Sequence, residues 1–349
     1  MELPTVDISS FVSPSGSAAA RGATVTAVRA ALERAGFLIV SGHGVDPRTV
    51  AAAHAAYRGF YAQPAEQKLK FTGSFMKTDD EGHLQHAPRG YSPGAGDEFS
   101  REAFAVQKED WDPADPFFSS TAAAPWVATV PADQNIWPVA AAGSESVDEG
   151  FRTAVLAYYG AMERLAVVLE EIMAAALGLP AEYFVQRADR SITNMVGFSF
   201  AMGKAGNAVP PHDDEGDFTI LSHDAIQAGV PSGLEIQLPE GSELAADQAG
   251  TGEAPWVAVE PVPGCFVVNT GNLMHRFSGG RFQTTIHRVR VDHPQPGAPR
   301  RQSIAFFHLP NADTVVAPVL PPPEDSMDVL EPVVAGLFVL ERLKVLLPG

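Results

Sequence analysis

Apolar residues recur along this chain with two different periods. In the first half the spacing is mostly three and four. "ARGATVTAVRAALERAG" carries one helical stripe with Gly36 just past its end as a stop, and "PRTVAAAHAAYRGFYAQ" carries another, followed by "PAEQKLKF". Between them "FLIVSGHGV" is a continuous apolar run leaving through glycines, which predicts a buried strand, and "LPTVDISSF" alternates like a short one. The stretch "RGYSPGAGDEF" has no period and reads as a loop. The longest helical pattern runs from Gly150 to Pro180, "GFRTAVLAYYGAMERLAVVLEEIMAAALGLP", and Gly178 and Pro180 close what reads as a scaffold helix.

From Ser191 onward the period shortens. "SITNMVGFSFAM", "DFTILSHDA", "GLEIQLP", "WVAVEPV", "CFVVNTG", "TTIHRVRVD" and "RQSIAFFHLP" are short β-rich runs separated by Gly/Pro turns, a spacing that predicts a barrel or a double-sheet jelly roll. The acidic insert "PEGSELAADQAGTGEA" reads as a solvated loop, and there is no internal repeat.

Composition narrows the function. With 349 residues and 45% hydrophobic content the chain can bury a large core. Lys and Arg total 24 against 42 Asp and Glu, a formal charge of −18 with no dense basic run, so nucleic acid is not an expected partner. The single cysteine, Cys265, has no internal disulfide partner, and "MELPTVDISS" lacks a charged-then-apolar leader, so a reducing cytoplasm is expected. No apolar run approaches the ~18 residues of a membrane span.

The chemistry concentrates in "PPHDDEGDFTIL". If this segment is extended, His212 and Asp214 share a face and Asp213 points away, so two side chains can meet one metal ion. His-x-Asp is common by chance, and a third ligand is needed from His223, His275, His287, His293 or His308. His287 lies in the β-branched run "TTIHRVRV", which would place it inside a barrel. Two imidazoles and one carboxylate make the facial triad of non-haem Fe(II) oxygenases. His223 and Asp224 read as a surface turn, and His43 as structural.

Over nearly its whole length the chain resembles the Fe(II)/2-oxoglutarate-dependent dioxygenase superfamily, in the branch of isopenicillin N synthase and the plant flavonoid and gibberellin oxygenases. "LPTVDIS", "ALERAGFLIVSGHGV", "FYAQPAEQKLKF" and "RGYSP" resemble its N-terminal region; "HDDEGDFTIL", "GLEIQL", "NTGNLMHRFSGGRFQTTIHRV" and "RQSIAFFHLPN" resemble its core. The resemblance implies a mixed α/β chain with a mainly β core, a double-stranded β-helix (distorted jelly roll) packed against helices. It implies an N-terminal mixed α/β region over 1–120, a linker and scaffold helix over 121–190, the jelly-roll core over 191–320 and a C-terminal helical segment over 321–349.

It also implies roles. His212, Asp214 and His287 match the iron triad. Arg301 and Ser303 match the Arg-x-Ser pair that holds the distal carboxylate of 2-oxoglutarate, and two apart on a strand they share a face from which guanidinium and hydroxyl grip one carboxylate. Asn194 matches part of a co-substrate element; Tyr91 and Phe307 match positions that often line the substrate cavity, core being the other reading of each, and Met274 lies where the branch lines its cavity or packs its core. The implied cofactors are Fe(II), 2-oxoglutarate as co-substrate, and O2. The implied reaction is oxidation of an unactivated C–H of a small molecule by hydroxylation, desaturation or cyclisation, by a monomer in specialised metabolism. Three departures stand out: "TNMVGF" has Asn194 but no tyrosine after it, Asn272 replaces an aspartate, and the turn between His287 and Arg301 is long. The alternatives are an Fe(II) oxidase of the same fold that uses no 2-oxoglutarate, and a non-catalytic jelly-roll binding protein.

Overall fold

A computed structural model describes residues 3–73, 88–93, 101–109, 111–119, 127, 130, 134–139, 148–201, 206–224, 232–238, 254–291, 300–323 and 330–346. The acidic insert and the long turn before Arg301 lie outside these residues. In chain order the elements are β1 (Thr5–Asp7), α1 (Ser9–Val12), α2 (Ala18–Ala35), β2 (Phe37–Ser41), α3 (Pro47–Tyr61), α4 (Ala65–Leu69), β3 (Gly90–Ser92), β4 (Arg101–Gln107), α5 (Pro116–Ser119), α6 (Glu149–Ala176) and α7 (Glu182–Val185). There follow β5 (Asn194–Phe200), β6 (Gly206–His212), β7 (Phe218–His223), β8 (Leu234–Gln237), β9 (Trp256–Ala258), β10 (Phe266–Thr270), α8 (Asn272–Phe277), β11 (His287–Val291), β12 (Arg301–His308), β13 (Val315–Val316), β14 (Val333–Val334) and α9 (Ala335–Leu346).

Local signals set the helix ends. Ser17 caps α2 through its side chain, Asp46 caps α3 ahead of Pro47, and Asp148 caps α6. Gly36 ends α2 with φ 61°, a left-handed conformation glycine adopts without a Cβ clash. The chain turns there directly into β2.

Two sheets face each other. The larger has the order β1-β2-β10-β7-β12-β5-β4-β3, and the smaller β6-β11-β8-β9. Because side chains alternate across a strand, the inner strands of the large sheet serve two cores. Met195, Ile220, Val268, Ile304 and Phe306 pack on the helical side with α6 residues such as Leu165 and Leu169. On the other face Phe37, Ile39, Leu221 and Val267 meet Leu234 and Ile236 of the smaller sheet. This is the jelly-roll sandwich with a helical layer behind it. Helix α6 packs against α2, α3 and α7, so it is the scaffold its apolar stripe predicts.

Of the departures of strand formation from the sequence reading, two bear on candidate site residues. The irregular stretch around Tyr91 contributes β3, which with β4 extends the large sheet beyond β5. Its Gly/Pro-rich composition hides a strand that exists only through pairing. The second is β6, which ends at His212, so Asp214 lies in the following turn and not on the same strand. Pro210 and Pro211 are tolerated because β6 is an edge strand. No helix among the described residues is long and apolar enough to cross a membrane.

Candidate metal and co-substrate site

Strands β6 and β11 are antiparallel, and their register puts His212 directly opposite His287. The ring centroids lie 4.2 Å apart. His212 Nδ1 is 2.8 Å from the carbonyl of Pro210, and His287 Nδ1 is 3.0 Å from that of Thr285. A carbonyl only accepts, so each Nδ1 carries the proton and donates, which leaves both Nε2 lone pairs free.

Asp214 completes the group from the turn between β6 and β7. Its Oδ2 accepts from the Thr219 hydroxyl at 2.6 Å and from Asn269 Nδ2 at 2.7 Å. Its Oδ1 lies 3.9 Å from His212 Nε2 and 3.7 Å from His287 Nε2. The same-face expectation therefore fails in its premise, since the strand has ended, while the two side chains still converge. The turn is held from α8: Asn272 donates to the Asp214 carbonyl through both its backbone N–H, at 2.8 Å, and its Nδ2, at 3.1 Å. Gly271 passes so close that a Cβ there would sit 2.4 Å from the Gly216 carbonyl.

Burial raises the Asp214 carboxyl, but the two imidazoles and the hydrogen bonds from Thr219 and Asn269 outweigh it and hold the group below the usual range. Burial, with His287 adjacent, pushes His212 down. An ionised carboxylate and a neutral imidazole are the forms that bind a metal. The neighbouring acids are held off: Arg342 of α9 donates to Asp213 at 2.6 Å and to Glu215 at 2.9 Å.

Arg301 and Ser303 lie on β12 on the face turned toward the smaller sheet. Arg301 is 3% exposed; its Nε donates to the Ser232 carbonyl, its Nη1 to Ser303 Oγ at 3.2 Å, and its guanidinium lies 4.9 Å from the Phe200 ring centroid. Among the described residues no carboxylate pairs with it. Burial without a counter-charge pulls its pKa down to about 10. A buried unpaired guanidinium beside a hydroxyl suits a ligand carboxylate.

Other expected residues fall in different places. Phe307 lies on the same face as Arg301, half-buried against Ala103, Ala105 and Val196. Asn194 pairs with Phe307 in register, so it sits at the Thr219 end of the sheet and not beside Arg301, with its Oδ1 buried and unpartnered. Tyr91 does not line this face. It is opposite Phe104 on the helical side, fully buried, donating to Glu102 at 2.5 Å. Met274 is likewise fully buried in the helical core. In both cases strand or helix phase, invisible without the pairing, turns the side chain away.

His223 is not part of the surface turn that its polar neighbourhood predicts. It ends β7 directly opposite Ser303, and its Nε2 is buried without a hydrogen-bond partner. Burial first, then the Arg301 charge, pushes its imidazole far down. Asp224 is buried in an ion pair with Arg58. The sequence reading also missed Thr219, Asn269 and Arg342; a buried asparagine within the apolar run "CFVVNTG" was the available signal for one of them.

Residues 199–310 match the family model described as the 2OG-Fe(II) oxygenase superfamily, and residues 3–138 match that of the non-haem dioxygenase in morphine synthesis N-terminal region. Gibberellin 20 oxidase 3 of Oryza sativa subsp. japonica is 30% identical over 331 residues, 90% of this chain and 74% of that protein. The chain belongs to the 2OG-Fe(II) oxygenase superfamily. It is an iron- and 2-oxoglutarate-dependent dioxygenase. A 2-oxoglutarate-dependent dioxygenase of Monascus ruber, citB, is 29% identical over 91% of this chain and 87% of its own length. The fold of a full-length Neurospora crassa protein, solved in complex with α-KG and thymine, superposes with a TM-score of 0.75 at 20% identity, over 99% of this chain and 97% of that one. In this oxygenase the donor set of two free Nε2 atoms and one carboxylate oxygen fits Fe(II).

Proposed function

We propose that His212 and His287, through Nε2, and Asp214, through Oδ1, hold the iron, and that Arg301 and Ser303 hold the distal carboxylate of 2-oxoglutarate. The observation that carries this reading is the convergence of three donors with committed far sides, in a sandwich that also buries an unpaired guanidinium. Bound there, iron supplies redox chemistry with O2 coupled to decarboxylation of 2-oxoglutarate to succinate and CO2. The chain's own residues bind, orient and exclude water. The Pro210 and Thr285 carbonyls fix the ring tautomers, Thr219 and Asn269 aim Asp214, and His223 Nε2 offers a further donor to the co-substrate carboxylate beside Ser303.

The substrate is a small organic molecule, and we read it as one with an apolar body. Ala103, Ala105, Val196, Phe198 and Phe307 form a surface of small and aromatic side chains on the face that carries Arg301. Arg101, opposite Phe200 on that face, is half-buried and supplies a cationic contact for an acidic substituent. Its reaction is a C–H oxidation in specialised metabolism, by a monomer in a reducing compartment, as the half-buried free Cys265 suits.

The test is anaerobic loading with Fe(II) and then 2-oxoglutarate, followed by air. A charge-transfer band on adding 2-oxoglutarate, and succinate after air, are expected. O2 consumption with a substrate and without 2-oxoglutarate would reassign Arg301 and Ser303 to substrate binding; absence of iron binding would leave a binding protein.

A further inference from the structure

Behind the sheet lies a second cluster of metal-ligating side chains that the oxygenase reaction does not use. Glu170 comes from α6, Asp217 from the residue before β7 and His308 from the end of β12; they are 2%, 1% and 5% exposed. Their frame is rigid. The Asp217 N–H donates to the His308 carbonyl at 3.0 Å, and the His308 ring stacks on Phe218 with centroids 4.5 Å apart and planes at 8°. The imidazole is thereby set between the two acids, its Nε2 3.7 Å from Glu170 Oε1 and its Nδ1 3.7 Å from Asp217 Oδ2.

These distances are too long for hydrogen bonds. Glu170 Oε1, Asp217 Oδ1 and His308 Nδ1 are buried with no partner at all. Among the described residues no Lys or Arg neutralises either acid. Three orphaned polar atoms buried together carry a large desolvation cost unless a further group partners them.

We propose that Glu170, Asp217 and His308 form a structural site for a divalent cation of the Mn2+ or Zn2+ type, distinct from the iron site. One donor atom from each residue lies within 4.8 Å of the others. An imidazole gives one ring nitrogen to one ion, so only one of the two 3.7 Å separations belongs to the donor set; three donors spaced between that value and 4.8 Å surround a common centre at about 2.1–2.8 Å, which brackets bond lengths from Zn2+ and Mn2+ to Ca2+, and one imidazole among two carboxylates favours the first two. Two carboxylates and a neutral imidazole carry the charge that one divalent ion cancels. The ion would tie the scaffold helix to the strand ends three residues beyond Asp214. Complete burial implies that it enters during folding and exchanges slowly.

The experiment uses the full chain with His212→Ala and Asp214→Ala, which disables the iron site. It is refolded with Mn2+ or Zn2+, dialysed against chelator, and its metal content and Tm are measured. One retained equivalent per chain and a Tm above that of chain refolded in chelator are expected, with both lost on adding Glu170→Gln. No retained metal and no Tm shift in the iron-site variant would overturn the proposal and leave the cluster to water or protons, whether or not the Glu170 variant folds. Metal retained after Glu170→Gln and Asp217→Asn together would place it elsewhere, and would equally overturn it.

Discussion

Asp213 and Asp214 differ by one position and by every contact they make. Asp214 is aimed by Thr219 and Asn269 at two imidazoles, whereas Asp213 is paired with Arg342. Asp214→Ala should abolish Fe(II) binding in an anaerobic titration, and Asp213→Ala should retain most of it; comparable losses would remove Asp214 from the ligand set. Arg301→Ala leaves a co-substrate carboxylate without its charged partner, a loss of about 2–5 kcal/mol. Each ~1.4 kcal/mol is tenfold, so the apparent 2-oxoglutarate constant should rise well over tenfold. Ser303→Ala and His223→Ala each remove one hydrogen bond to a charged group, about 1.5–3 kcal/mol at most. Both should weaken 2-oxoglutarate less than Arg301→Ala does and leave iron affinity nearly unchanged. An unchanged 2-oxoglutarate constant in the His223 variant would return that imidazole to a structural role. His212, Asp214 and His287, which the structure brings together, and Arg301 and Ser303, which it sets side by side, were singled out in the sequence through the family resemblance of their motifs. His223 was not, because a histidine followed by an aspartate reads as polar until β12 is laid beside it.

At the scale of elements, what was legible was local. The stop of α2 at Gly36, the caps of α3 and α6 and the apolar run of β2 are set within a few residues. Gly36 tests this directly: at φ 61° any Cβ is strained, and one there would lie 2.1 Å from the Gln283 carbonyl. Gly36→Ala should therefore destabilise by more than ~1 kcal/mol, seen as a lower denaturant midpoint with an unchanged slope. Strands β3 and β6 were not legible for the opposite reason. Glycines and prolines dominate their neighbourhoods, and they become strands by pairing with β4 and β11, which are distant in sequence or hidden by a loop. The phase of a strand follows from the same pairing, which is why the structure turns Tyr91 into the core; Met274, on helix α8, is turned there by the packing of that helix.

For the whole molecule, the buried acids behind the sheet make stability depend on pH. In metal-free protein Glu170 and Asp217 keep protons up to about 9 and 8, while in the unfolded chain they release them in the ordinary carboxylate range. These two acids thus bind more protons in the folded state in between and lower stability as pH rises toward those values, while His308, lowered to about 3, opposes them below the ordinary imidazole range, so the fall is expected from about neutral pH upward. Denaturant unfolding across that window in chelator should show the fall, Glu170→Gln should reduce it, and Zn2+ or Mn2+ should offset it. A flat profile in the wild-type chain would mean the two acids ionise freely. By itself the sequence determined the jelly-roll class, the scaffold helix, the −18 charge and the residue types of the proposed iron and co-substrate groups, since periodicity, composition and short motifs are properties of adjacent residues. Only the tertiary structure decided which oxygen of Asp214 is free, that His223 faces Ser303, that Tyr91 and Met274 belong to the core, and that Glu170 meets His308. Each of these depends on strand register or on how layers pack, and a contact made by register or packing leaves no trace in the local spacing of either residue.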